Sequence, residues 1–152
     1  MAAIIKTKPF GDIEVEDDRI IEFPEGILGF DYVDRFVLLE EKDSPFIWLQ
    51  AYSEPELAFV MVSPLQFMAE YSLVISQSDL DDVDAKSPEE LAVYAIVTIP
   101  SHDPADMTAN LQGPIIINTA TRKGKQAISL SDKYRVRHKI MEEMNSRAQR
   151  EG

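Results

Sequence analysis

Nine prolines, at positions 9, 24, 45, 55, 64, 88, 100, 104 and 114, cut this 152-residue chain into short pieces, and that punctuation most restricts the folds open to it. Proline breaks a helix interior and enters a sheet only at edges, strand starts or bulges, so little room is left for helices of ordinary length. The runs between the turn residues are of strand size and rich in β-branched and aromatic side chains. They are Gly11–Glu16, Arg19–Phe23, Phe36–Glu40, Ile47–Tyr52, Leu57–Val62, Tyr71–Ser76, Leu91–Ile99, Ile115–Asn118 and Lys125–Leu130. Together they predict an all-β barrel or sandwich. Two stretches read as helical: a short turn around Asp79–Val83, and Tyr134–Arg150, which lacks Gly and Pro and aligns Tyr134, His138, Met141, Met144 and Ala148 on one face.

The segment Met107–Asn118, MTANLQGPIIIN, concentrates the question of core against surface. Gly113-Pro114 predicts a tight turn, and the unbroken Ile115–Ile117 predicts a strand covered on both faces. The amides of Asn110, Gln112 and Asn118 have two readings, local bonds to the backbone or outward contacts with a partner.

Charge is unevenly distributed. Residues 1–118 carry 6 Lys/Arg against 23 Asp/Glu, a net charge of −17, and the remainder is net positive, giving −12 overall. Such a body repels phosphate backbones, so direct nucleic-acid binding is not expected, and a basic protein partner suits its long-range field. An acidic surface serving solubility is the plainer alternative.

The residues that carry chemistry are poorly placed for it. There is no cysteine, which removes disulfides and thiolate catalysis and fits a reducing compartment. Ser101-His102-Asp103 holds the three residue types of a hydrolase triad, but adjacent residues cannot align nucleophile, base and orienting acid. His138 sits between Arg137 and Lys139, cationic neighbours that disfavour a metal. The acidic run Asp79–Asp84 fails as a calcium loop, with Val83 where an oxygen ligand is required and Asp84 where glycine is required; Ser87–Glu90 instead has the pattern of a capped turn. Arg122-Lys123-Gly124-Lys125 lacks the spaced glycines of a phosphate loop. No cofactor and no metal are expected. The first residues lack a secretory pattern and no apolar run reaches the ~18 residues that span a bilayer, so the expected location is cytoplasmic, away from membranes.

Several motifs in order resemble one family, the flagellar assembly factor FliW. They are Thr7–Gly11 (TKPFG), Phe23–Phe30 (FPEGILGF), Pro45–Gln50 (PFIWLQ), Pro55–Val60 (PELAFV), and the Met107–Asn118 stretch with its continuation to Gln126 (NTATRKGKQ). Tyr134–His138 (YRVRH) is similar to the family's closing motif. The resemblance implies a small barrel-like domain over residues 1–138, followed by a charged helical extension over 139–152. Lys139 stands where proline commonly follows the Arg-His pair, which sets the extension apart from the family pattern.

What the resemblance further implies is a cytoplasmic protein without catalytic activity and with two partners, flagellin and the RNA-binding translational regulator CsrA. Freed of flagellin, such a protein captures CsrA and relieves repression of flagellin translation by allosteric antagonism. An acidic body fits a basic regulator. The alternative is a flagellin chaperone without the CsrA arm; a hydrolase using His102 or His138 is the rival from another class. For partner contact the candidates are Phe23, Glu25, Ile27, Leu28 and Phe30 in the glycine-flanked run, with Gln50, Asn110, Gln112 and Asn118. Phe23 and Phe30 also read as plugs for a barrel end. A monomer is expected.

Overall fold

The computed structural model describes residues 2–68 and 70–144. Among the described residues ten strands carry the fold: β1 (Ala2–Thr7), β2 (Gly11–Glu16), β3 (Ile20–Glu22), β4 (Arg35–Glu40), β5 (Phe46–Ala51), β6 (Ala58–Val62), β7 (Ala92–Thr98), β8 (Thr108–Asn118), β9 (Lys123–Gln126) and β10 (His138–Lys139). A short helix, α1 (Gln77–Asp82), lies between β6 and β7. β1 and β2 form a separate hairpin, closed where Thr7 Oγ1 donates to the Gly11 carbonyl and accepts from the Phe10 amide.

The other strands run in the order β10-β8-β7-β6-β5-β4-β3-β9, and β9 pairs back onto β8, so seven of them close a barrel. Every pairing in that ring is antiparallel except β3 with β9, which meet in parallel through Glu22 and Lys123. Alternation puts Ile21 and Phe23, Phe36, Leu49, Met61, Ile115 and Ile117 in one core cluster; Phe23 and Phe36 meet edge to face at 5.0 Å. Each such side chain contributes roughly 1.5–3 kcal/mol by leaving water.

The outer faces are covered as well. Ile116 packs with Leu80 and Val83 beside α1, which explains why the isoleucine run tolerates no polar member. Val37 lies against Ile5 and Val15 of the hairpin, and Ala109 and Leu111 against Tyr134 and Ile140.

Four expectations are corrected. Tyr71–Ser76 forms no strand and joins no sheet; Leu73 and Ile75 pack in the cluster around α1, so alternation is present without a ladder. β9 ends at Gln126, and residues 127–130 continue beside β8 through single bonds, Ala127 N–H to the Pro114 carbonyl and Ser129 N–H to the Gln112 carbonyl. Gly113-Pro114 does not end a strand. β8 runs through it as a bulge, where Ala95 of β7 stands opposite the four residues 111–114.

The fourth correction concerns Tyr134–Arg150. Tyr134–Lys139 is not helical, because β8 needs partners along its second edge: the Arg135 carbonyl accepts from both the Leu111 and Gln112 amides, and His138–Lys139 pair with Ala109 and Thr108. Tertiary pairing overrides local propensity there. Helix begins at Ile140 and is described as far as Met144; Ala148 and the rest of that stretch lie outside the described residues.

Candidate functional site

The bulge in β8 builds one wall of a cleft of about 620 Å³ at the edge of the barrel. Asn110 turns its side-chain oxygen back onto its own strand, accepting from the Gly113 amide at 2.9 Å and the Gln112 amide at 3.1 Å. That settles the local half of the Asn110 question for its oxygen. The opposite wall is the Glu25–Gly29 segment, whose tight path depends on Gly26: its φ is +68° and a Cβ there would lie 2.5 Å from the Asp31 Cα.

Gln126 joins the walls. Its side-chain oxygen accepts from the Leu28 amide at 3.1 Å and its nitrogen donates to the Gly113 carbonyl at 3.2 Å. Side chains from three distant segments, Leu28, Ile128 and Val136, form the apolar rim; Leu28 is 88% exposed. A lone exposed leucine is ordinary, but three apolar side chains converging on a concave surface are the usual mark of a binding site.

Next to Gln126 in β9, Lys125 meets three carboxylates: Asp82 at 2.7 Å, Asp79 at 2.8 Å and Glu25 at 3.2 Å. Burial acts to lower the pKa of this ammonium, yet the hydrogen bonds it donates to Asp79, Asp82 and Glu25 outweigh it and hold the pKa above the ordinary lysine value. Two carboxylates of the acidic run that lacks the calcium-loop pattern are ion-pair partners of this lysine. Among the described residues no His/Asp/Glu group is arranged to hold a metal.

The sequence candidates divide. Glu25, Ile27, Leu28, Asn110 and Gln112 line the cleft together. Phe23 and Gln50 have no exposed surface, and Asn118 almost none. Phe23 is core. The Gln50 amide nitrogen shares its two protons among the carbonyls of Ala51, Glu54 and Leu57, shaping the turn into β6. Asn118 donates to the Val83 carbonyl and accepts from the Ala120 amide, tying the β8–β9 turn to the end of α1. Phe30 is half-buried against Phe59, edge to face at 5.2 Å. Sequence reasoning missed Gln126, Ile128 and Val136, since nothing local signals that they would meet Leu28.

The histidines do not approach one another's chemistry. His102 is exposed beside Asp106, and the His138 ring accepts from the Arg135 amide at 2.7 Å, with Glu143 at 3.4 Å from its other nitrogen. The second is a structural bond that helps present the Arg135 carbonyl to β8.

The family profile described as FliW protein matches residues 4–140. This chain belongs to the FliW family. It is 46% identical over 145 residues to the flagellar assembly factor FliW of Leptospira biflexa, covering 95% of each chain. It is 39% identical over 142 residues to that of Treponema denticola, covering 93% of this chain and 96% of the relative. A crystal structure of the flagellar assembly factor FliW superimposes with a TM-score of 0.83 at 37% identity, covering 91% of this chain and 96% of the other. Of the FliW motifs read from the sequence, Phe23–Phe30 and Met107–Asn118 with its continuation to Gln126 contribute residues to the cleft, while Pro45–Gln50 and Pro55–Val60 run into β5 and β6. Among the described residues no helix is long and apolar enough to cross a membrane.

Proposed function

We propose that this FliW-family chain acts in flagellar assembly as a non-enzymatic partner switch in the cytoplasm, binding flagellin and CsrA as a monomer. Free of flagellin, it captures CsrA and relieves repression of flagellin translation by antagonism away from the RNA-binding surface. The observation that carries the reading is the convergence of two family motifs on one cleft, with Leu28 exposed at its rim. An amphipathic helix of flagellin would lay its apolar face against Leu28, Ile128 and Val136, the helix-in-groove mode of recognition.

The charge supports the second partner. A body at −17 over residues 1–118 attracts a basic regulator and, once docked, disfavours phosphate nearby. The deciding experiment is titration of purified flagellin into a preformed complex with CsrA. Release of CsrA is expected. A chain that binds flagellin and never CsrA would reduce the reading to a flagellin chaperone, and one that binds neither would end it.

A further inference from the structure

Lys125 and Gln126 are neighbours in β9 that face different structures. Lys125 reaches Asp79 and Asp82 on α1 and Glu25 at the start of the cleft segment; Gln126 holds the Leu28 amide and the Gly113 carbonyl. A continuous set of contacts thus runs from α1 through β9 to the exposed Leu28. Lys125 is only 11% exposed and Asp79 14%, whereas Asp82 is 41% and Glu25 65% exposed; one ammonium meets all three carboxylates, a network and not an isolated surface pair. Without that cation, Glu25 would face Asp79 and Asp82 as like charges, a repulsion that acts on the cleft wall Glu25 belongs to.

We propose that Lys125 is a positioning residue for the cleft, holding the Glu25–Gly29 segment in its binding shape and linking that shape to α1. This rests on the cleft being the partner surface, but the placement itself is testable without a partner. α1 thereby becomes part of the site it does not touch. A cationic group arriving at Asp79 and Asp82 from outside would compete with Lys125 for them and loosen the Glu25 wall, so events on the α1 face are transmitted to Leu28.

The test is amide exchange by NMR on the free, full-length protein. In Lys125→Met the Leu28 amide should exchange at least tenfold faster than in the wild type, while the Leu49 and Met61 amides of β5 and β6 keep their rates. Lys125→Arg should stay near the wild type, and adding Glu25→Gln to Lys125→Met should slow Leu28 again by removing the repulsion. An unchanged Leu28 rate, a uniform acceleration across the barrel, or failure of Glu25→Gln to restore would each overturn the proposal. Flagellin binding by Leu28→Asp is read separately: wild-type affinity there would remove the cleft as the partner surface, whereas the exchange rates judge Lys125 alone.

Discussion

Replacing Asn110 with alanine separates a built-in role from a contact role. The side-chain oxygen serves two amides, but they do not depend on it equally. Gln112 N–H has a second acceptor in the Arg135 carbonyl, at 3.1 Å, whereas Gly113 N–H makes the shorter bond to Asn110, at 2.9 Å. The loss is therefore that of one hydrogen bond, about 1 kcal/mol, toward 2 if the part-buried Gly113 amide stays shielded from water. For a chain of this size that lowers Tm by roughly 2–8 °C. Urea unfolding should show a lower midpoint with an unchanged slope, since the surface exposed on unfolding is the same. Alongside it, a flagellin titration should weaken only as far as the bulge loosens. An unaltered midpoint together with lost binding would refute the local assignment and make Asn110 a contact residue.

Leu28→Asp should leave stability within about 0.5 kcal/mol, because the side chain is already in water, and should weaken flagellin binding tenfold or more by calorimetric titration. Gly26→Ala combines a disfavoured φ with backbone overlap, so a loss of about 2 kcal/mol or more is expected from denaturant unfolding. Tyr71 has a buried hydroxyl with no partner among the described residues, and burial followed by the neighbouring Tyr134 phenol pushes its pKa up to about 12. The unfolded chain releases this proton near 10 and the folded one only near 12, so folding stability falls as pH rises between the two, and spectrophotometric titration should show late-titrating tyrosine, Tyr94 also being raised by burial, of which Tyr71→Phe deletes one component. The same substitution should be neutral or stabilising, while Tyr134→Phe, whose oxygen accepts from the Ser72 amide, should cost about 1 kcal/mol by thermal melting. Association with CsrA should slow as salt rises, and a salt-independent on-rate in stopped flow would remove electrostatic steering.

Much of the barrel was legible because its signals are local. Alternating runs bounded by proline marked β2 to β7, and the isoleucine run announced a strand covered on both sides. The remainder required knowledge of what lies across the sheet. Tyr134–Lys139 has a helical pattern yet serves as the second border of β8, and Tyr71–Ser76 alternates like a strand while joining no sheet. The cleft shows the same division. Phe23–Phe30 and Asn110–Gln112 stood out through glycine, proline and amide chemistry, but Gln126, Ile128 and Val136 have no local mark and gain their place only from the closing of the ring. Gln50 and Asn118 stood out for the same polarity and proved to satisfy buried carbonyls, a role that sequence does not distinguish from contact.

The lone parallel junction between Glu22 and Lys123 makes the hoop asymmetric in time as well as in space. β3 to β6 meander through neighbouring segments and can assemble early, but the clasp waits for the two halves of the chain to find each other, a non-local step of the kind that slows folding. Until it fastens, a nascent molecule still on the ribosome presents two raw sheet borders. Synthesis of the final third, more than any property of the finished product, sets how long it remains open to sticking to its neighbours.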